Sequence, residues 1–583
     1  MYLCPKVVLV IMKQTISFLL LFLYCVIGSA QEIGPLLKSS WYQEAPFNNY
    51  IPSHVKAGCG PIAVAQILNY YQAPTQGFGH VTLYNDLDYS GKTIDYSLIL
   101  NDYRNNNYTS EQADAVANLV WHVGAAMTLK YPNNGTENNR MIWGIQKYLH
   151  INQKCRFRLR KFYSTEQWVE MLDKQLEAGH PVYYRGRAFR YNSDPSGIGH
   201  IYVIDGKNAE GLYHANFGKS TAEYNKYVSL DVLDQSMNEG TYPGDYGIYY
   251  NWEQGMATDL YPDEYFNEDT FNDYPVYLVE PLTLNNDKSL DELKIPLDKA
   301  FYLSTILQVY TGDYIKAKDG SIGTWQQALG VYKDEQLVSV IQSKQNHSFS
   351  TSSTKSSTLP YEIPSSISNG EYEIRVVTKR ADSDLWQPVW DIAPNTISAK
   401  IKKGEVTLKT MGNHTLSTKL YLLDSIKETG DVSGDYPGRL FSLKIKNPTD
   451  NNFENKIKLS VVVDNVVKAN LEQMASVYSG CQVEYRFLIP YEVFDFRTAS
   501  KYKIKASYYE QNELAYLDLT TDIPDLSDIN LPNKNVYPHK CSVYSVNGLL
   551  IKQMEDSDID QIEDLPKGCY IIKEEGETRK ILR

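Results

Sequence analysis

Apolar residues recur at helical spacing in four stretches of the first half of the chain: Pro61 to Tyr71, Ser110 to Met127, Asn138 to Leu149 and Thr165 to Ala178. Shorter strand-like runs follow, at Val182-Tyr-Tyr184, Ile201 to Asp205, Leu212 to Asn216 and Tyr227 to Leu230. Helices first and antiparallel-looking strands later predict an α+β domain over residues 31–265, with a helical half facing an antiparallel sheet half and a cleft between them. Beyond residue 265 the helical period fades. Alternating runs such as Glu371 to Thr378, Phe441 to Lys446 and Ile457 to Val463 predict half-buried strands. Regularly spaced short strands predict two β-sandwich modules, at 275–405 and 406–530. The Ser- and Thr-rich stretch Ser343 to Thr358 reads as a long loop inside the first. A small β unit closes the chain at 536–583, where Val543 to Ile551 encloses an Asn547-Gly548 hairpin turn.

The N-terminus reads as a targeting segment. Lys13 precedes the apolar run Ile16 to Ile27, which ends in Gly28-Ser-Ala30. That is a signal peptide over residues 1–30, with Met12 as an alternative start, and it predicts a secreted or cell-surface-attached protein. Cys25 lacks the small residues that lipidation requires. The rest of the chain holds no run of about 20 apolar residues, so no membrane span is expected.

At 583 residues the chain is too long for one domain. A net charge of −13 and the lack of a basic block argue against a nucleic-acid partner. Without the signal, five cysteines remain: Cys59, Cys155, Cys481, Cys541 and Cys569. An odd number in an exported protein suits one free reactive thiol. The others read as buried small hydrophobes, with a Cys541–Cys569 pair left open. No Cys-x-x-Cys, His-Glu-x-x-His or calcium-loop pattern occurs, so neither metal nor cofactor is expected. No Gly-x-Ser-x-Gly joins a strand to a helix, which argues against a serine hydrolase.

Cys59 is the choice for the reactive thiol. Ala57-Gly58-Cys59-Gly60 is a small-residue turn leading straight into a helical pattern. A thiol at a helix N-terminus meets free N–H groups and the positive end of the helix dipole, which favour the thiolate. Gly199 to Gly206 and Tyr213 to Gly218 bring His200 as a base and Asn216 as the group that orients it. An early Cys followed far downstream by His and then Asn is the order of papain-like peptidases. Among the other histidines, His54 lies in a loop before the turn, His122 and His180 read as structural, and His214 as a half-buried packing residue. Asp205 reads as a strand-end turn residue.

These segments resemble the streptopain family of bacterial cysteine peptidases. Gly58-Cys59 followed by Ala63-Val-Ala-Gln66 is similar to the family's nucleophile helix, and Gly199 to Gly206 to its histidine strand. His214-Ala-Asn-Phe-Gly218 matches the strand that carries its Asn. Trp41-Tyr-Gln-Glu-Ala-Pro-Phe-Asn48 resembles the family's Trp-x-Gln-x-x-Pro-Tyr-Asn, and Val116 to Gly124 followed by Tyr131 resembles its second helix. The resemblance covers roughly residues 33–265 and implies a papain-like fold. It also implies an endopeptidase acting on proteins or peptides through a Cys59–His200 thiolate–imidazolium pair and an acyl-enzyme. Within it Asn216 orients the histidine and Gln43 helps form the oxyanion hole. Phe217 and Lys219 replace the family's two Trp residues, and Ser220-Thr221 its Gly-Gly, which alters one cleft wall and puts substrate preference in doubt. The short distance from Gln31 to Cys59 leads us to expect no inhibitory prodomain, and a separate protein inhibitor is one way such an enzyme is controlled.

Gly568 to Ile572 and Lys580 to Arg583 resemble the C-terminal sorting domain of the Bacteroidetes type IX secretion route. Two further readings stay open at this level. One is a surface-attached binding or adhesion protein with a degenerate peptidase domain. The other is a transglutaminase-like acyl transferase.

Overall fold

A computed structural model describes residues 32–582 apart from 83, 133–137, 189–197, 222–223, 232, 234–249, 286, 288–289, 310–322, 346–347, 350–353, 412–417, 433–436, 499–500, 511–512, 518–539, 546–549, 556–568 and 575–576. The expected signal peptide and the Asn547-Gly548 turn lie outside the described residues.

Three helices, α1 (Cys59–Tyr71), α2 (Ser110–Ala126) and α3 (Asn138–Leu149), build one half of the first region, and a fourth, α4 (Thr165–Glu177), packs on the sheet in a core of its own through Trp168, Leu172 and Leu176. α2 and α4 begin in capping boxes, Thr109 with Gln112 and Ser164 with Gln167, in which side chain and backbone satisfy each other's first-turn donors. α1 has no such cap. Its N-cap is Gly58, and Pro61 in the first turn lacks only an N–H that the helix leaves unpaired there.

Six strands form the facing sheet: β1 (Arg156–Leu159), β2 (Val182–Ala188), β3 (Ile198–Lys207), β4 (Tyr213–Asn216), β5 (Lys226–Val228) and β6 (Trp252–Thr258). Their order is β1-β6-β2-β3-β4-β5, with every neighbour antiparallel. β3 starts three residues before the expected Ile201, which places His200 inside a strand rather than at its start. α1 is apolar nearly all round. Its residues Gly60 to Leu68 are buried in a core that also takes Trp41, Phe47 and Val203.

After residue 275 the chain is built of strands. Residues 276–410 form two sheets that share one apolar core, and residues 420–517 form two more around another. The expected loop at Ser343 to Thr358 is corrected. Thr354–Glu362 is a strand paired along Ala300–Val309, and Ser348–Phe349 is another short strand. Hydroxyl pairs stitch the first of these, Ser304 to Thr358 at 2.8 Å and Thr305 to Ser357 at 3.0 Å. Cross-strand Ser/Thr pairing makes a strand from a composition that otherwise suggests a loop. At the C-terminus, Lys540–Ser545, Leu550–Glu555, Cys569–Glu574 and Glu577–Leu582 form a separate four-stranded antiparallel sheet.

Both two-sheet units dock on the first region. Trp390–Asp391 of the nearer unit lies beside β1: the Leu159 N–H donates to the Ile392 carbonyl at 3.2 Å, and Arg158 pairs with Asp391 at 2.9 Å. The farther unit meets residues 160–165 and 251. Among the described residues no helix is long and apolar enough to cross a membrane.

Candidate active site

Cys59 is the first residue of α1 and is half-buried. Gly58 before it has φ +96° and ψ 143°, a conformation open to glycine and strained for other residues. That conformation turns the chain so that the Cys59 side chain meets β3. The backbone N–H groups of Ile201 and Gly60 lie close enough to the thiol to favour its ionised form. Ile201 follows His200 on β3, and their side chains fall on opposite faces of the sheet: Ile201 packs against α1, whereas the His200 ring lies among Tyr202, Phe217 and Tyr250 on the face away from α1.

The turn is fixed from outside. The Tyr131 hydroxyl donates to the Ala57 carbonyl at 3.0 Å, passing over Gly124, where a Cβ would lie 2.5 Å from that hydroxyl. The Ala57 N–H donates to the Gln43 carbonyl at 2.9 Å. Gln43, half-buried, is thereby held beside the Cys59 turn by its backbone.

His200 is 4% exposed. Its Nε2 lies 2.7 Å from the Phe217 carbonyl, so that nitrogen carries the proton and Nδ1 is left as the basic position. Three aromatic rings surround the imidazole, Tyr250 at 5.2 Å, Tyr202 at 5.9 Å and Phe217 at 6.4 Å between centroids. Phe217 lies almost parallel to it, at 10°. Burial among these rings lowers the His200 pKa to about 3, and the Lys219 ammonium pushes the same way.

The expected orienting contact from Asn216 is corrected. The Asn216 amide donates to the Ser39 carbonyl at 2.9 Å and to Gln66 Oε1 at 3.3 Å, and its Oδ1 accepts from the Gly218 N–H at 3.3 Å. Asn216 therefore fixes the end of β4, and the next residue supplies the carbonyl that holds the histidine. Backbone carbonyls carry no sequence signal, which is why Phe217 O escapes a reading of side chains. Gln66 joins the network from α1, accepting from the Trp41 N–H at 3.0 Å. It lies in the Ala63-Val-Ala-Gln66 motif, two turns along the helix from Cys59, and that spacing is the signal that could have singled it out.

Burial acts against the expected thiolate: it raises the Cys59 pKa more than the nearby backbone N–H groups and the Lys219 charge lower it. Burial likewise favours the neutral form of the His200 imidazole. Arg104 clamps the strand that follows Phe217, donating to the carbonyls of Lys219 at 3.1 Å and Ser220 at 2.7 Å and to Ser40 Oγ at 2.8 Å.

Other side chains fall outside this cluster. His214 is not simply packed: its Nδ1 lies 2.6 Å from Asp205 Oδ1. Asp205 is fully buried within β3, and its other oxygen accepts from the Leu37 N–H at 2.9 Å. The pair ties the N-terminal segment to the sheet. His122 is buried in the core with Nδ1 2.7 Å from the Asn118 carbonyl. Cys155 and Cys481 are buried free thiols. Among the described residues no group of three or more His, Cys, Asp or Glu could hold a metal ion.

Residues 41–227 match the model of the Peptidase C10 family, a match that supports a cysteine-type peptidase. Streptopain of Streptococcus pyogenes is 26% identical over 202 residues, which are 32% of this chain and 49% of streptopain. The thiol protease/hemagglutinin PrtT of Porphyromonas gingivalis is 26% identical over 253 residues, 40% of this chain and 28% of PrtT. The solved structure of active wild-type Prevotella intermedia interpain A cysteine protease is 30% identical, with 40% of this chain and 95% of interpain A covered at a TM-score of 0.34. The chain spans about half the length of the streptopain it matches.

Proposed function

We propose that this chain is an exported cysteine endopeptidase. The observation that carries the reading is the placement of Cys59 at the start of α1, a helix packed on β3, the strand that carries His200 with its Nε2 held by the Phe217 carbonyl. With Nε2 engaged, Nδ1 takes the thiol proton as Cys59 Sγ attacks the scissile carbonyl carbon. The oxyanion receives hydrogen bonds from the Cys59 N–H and the Gln43 amide. The proton then passes from His200 to the leaving amine, and an acyl-enzyme forms on Cys59. A water deprotonated by His200 attacks that thioester and restores the thiol. Asn216 supports the step indirectly, by fixing the strand end that presents Phe217. We read the two-sheet units as β-sandwich appendages and the C-terminal sheet as a sorting module for the cell surface. Protein or peptide substrates follow from the family.

The test is hydrolysis of casein by the purified chain in reducing buffer, wild type beside Cys59→Ala. Activity in the wild type that falls to background in the variant is the expected result. Equal activity in both would remove Cys59 from the mechanism.

A further inference from the structure

We infer that the farther two-sheet unit, residues 420–517, is a working support of the catalytic centre: its Tyr485 and Tyr478 hold Asn251, and through it Tyr250, against His200. This rests on the reading of His200 as the base.

Tyr250 is the nearest ring to the imidazole and is 2% exposed. Its backbone is seated by two contacts. The Tyr250 N–H donates to the Leu233 carbonyl at 3.2 Å, and its own carbonyl fills the space above Gly186, where a Cβ would lie only 1.9 Å away. Gly186 is the residue of β2 directly opposite His200 in register. The missing side chain at 186 thus lets Tyr250 close over the histidine.

The next residue, Asn251, immediately precedes β6 and is also 2% exposed. Its amide donates to the Tyr485 hydroxyl at 2.7 Å, and its carbonyl accepts from the Tyr478 hydroxyl at 3.2 Å. Both tyrosines belong to the farther unit and both are buried. Tyr485 is itself locked, because its hydroxyl accepts from the Ser476 N–H at 2.9 Å and donates to the Ser476 carbonyl at 2.8 Å.

A second set of contacts leads to the same place. The Tyr478 ring lies 4.0 Å from the Arg160 guanidinium, which donates to Gln254 Oε1 at 3.1 Å and to Asp231 at 2.9 Å. Asn452 donates to the carbonyls of Lys161 and Tyr163 at 3.0 and 2.9 Å. Buried polar contacts of this kind fix a geometry more than they add net stability, since each is directional and costly to leave unpaired. Two of them, to Asn251 directly and to Gln254 through Arg160, fall one and four positions from Tyr250. A base displaced by about 1 Å loses on the order of a hundredfold in rate, so a support one residue from the ring that covers His200 is placed to matter.

Tyr485, Tyr478, Asn251 and Tyr250 are accordingly positioning residues. The test uses the full chain carrying Tyr485→Phe, Asn251→Ala, both together, or His200→Ala, with near-UV circular dichroism as the check on folding. Two quantities are read: kcat and KM on a fluorogenic peptide that the wild type cleaves, and the pH dependence of Cys59 alkylation by iodoacetamide, followed by mass spectrometry. Each single support variant is expected to lower kcat about tenfold with KM nearly unchanged, and to move the alkylation profile towards that of His200→Ala. The double variant is expected to lose less than the product of the two single losses, because both remove the Asn251–Tyr485 contact. Folded variants with wild-type kcat and a wild-type alkylation profile would overturn the inference. If His200→Ala itself leaves Cys59 alkylation unchanged, the Cys59–His200 pairing fails and the inference fails with it. The alkylation arm separates these outcomes even where no peptide is cleaved.

Discussion

Gln66 joins more of the site than any residue placed there for chemistry. Its side chain accepts from the Trp41 N–H, at the start of the segment carrying Gln43, and exchanges hydrogen bonds with Asn216 on β4. A residue 1% exposed with three side-chain hydrogen bonds to two other segments has little freedom to relax. Gln66→Leu keeps the volume and leaves a buried backbone N–H and part of a buried amide unpaired. The expected cost is on the order of 2–4 kcal/mol of unfolding free energy, read from urea denaturation. Activity is expected to fall further than the folded fraction, since the end of β4 that presents the Phe217 carbonyl to His200 is loosened too. A folded Gln66→Leu protein with wild-type kcat would show that Asn216 holds β4 unaided.

The element that sets the nucleophile is α1, and its start depends on one glycine. At φ +96° and ψ 143°, Gly58 turns the chain from the Gln43-tethered segment into the helix. Any side chain there meets a strained backbone at about 1–3 kcal/mol. Gly58→Ala is expected to lower the thermal midpoint and to shift the thiol away from the Ile201 N–H. Slower Cys59 alkylation at fixed pH in the folded protein reads that shift, and an alkylation rate equal to wild type would show that the turn tolerates a side chain. On the face of the sheet away from α1, the missing side chain at Gly186 lets Tyr250 close the aromatic cage around His200.

For the molecule as a whole, four histidines among the described residues have pKa values held down by burial: His122, His150, His180 and His200, the last at about 3. A lowered folded pKa means that the unfolded chain binds more protons between the folded and unfolded values. The stability these groups contribute is complete above pH 6.5 and is lost as pH falls towards 3. Urea midpoints are therefore expected to fall as pH drops from about 6.5 to 4. His200→Gln removes one titrating site and is expected to give a shallower fall over that window. Parallel curves for the two proteins would mean that His200 keeps an ordinary pKa in the folded state.

Much of this protein was legible in the residues. The periods of α1 to α4, the alternation of the later strands, and the Cys59, His200 and Gln43 segments all come from local pattern, because helix and strand period and turn chemistry are written within a few positions. Three things were decided only by the tertiary structure. The group that holds His200 is a main-chain carbonyl, which every residue possesses. The charge state of Cys59 depends on how much of the sheet covers it, and the sequence shows only the favourable helix end. The contact of Tyr485 and Tyr478 with Asn251 joins residues more than 200 positions apart. Nothing in a window of either segment encodes such a pairing, which exists only once both sheets have packed.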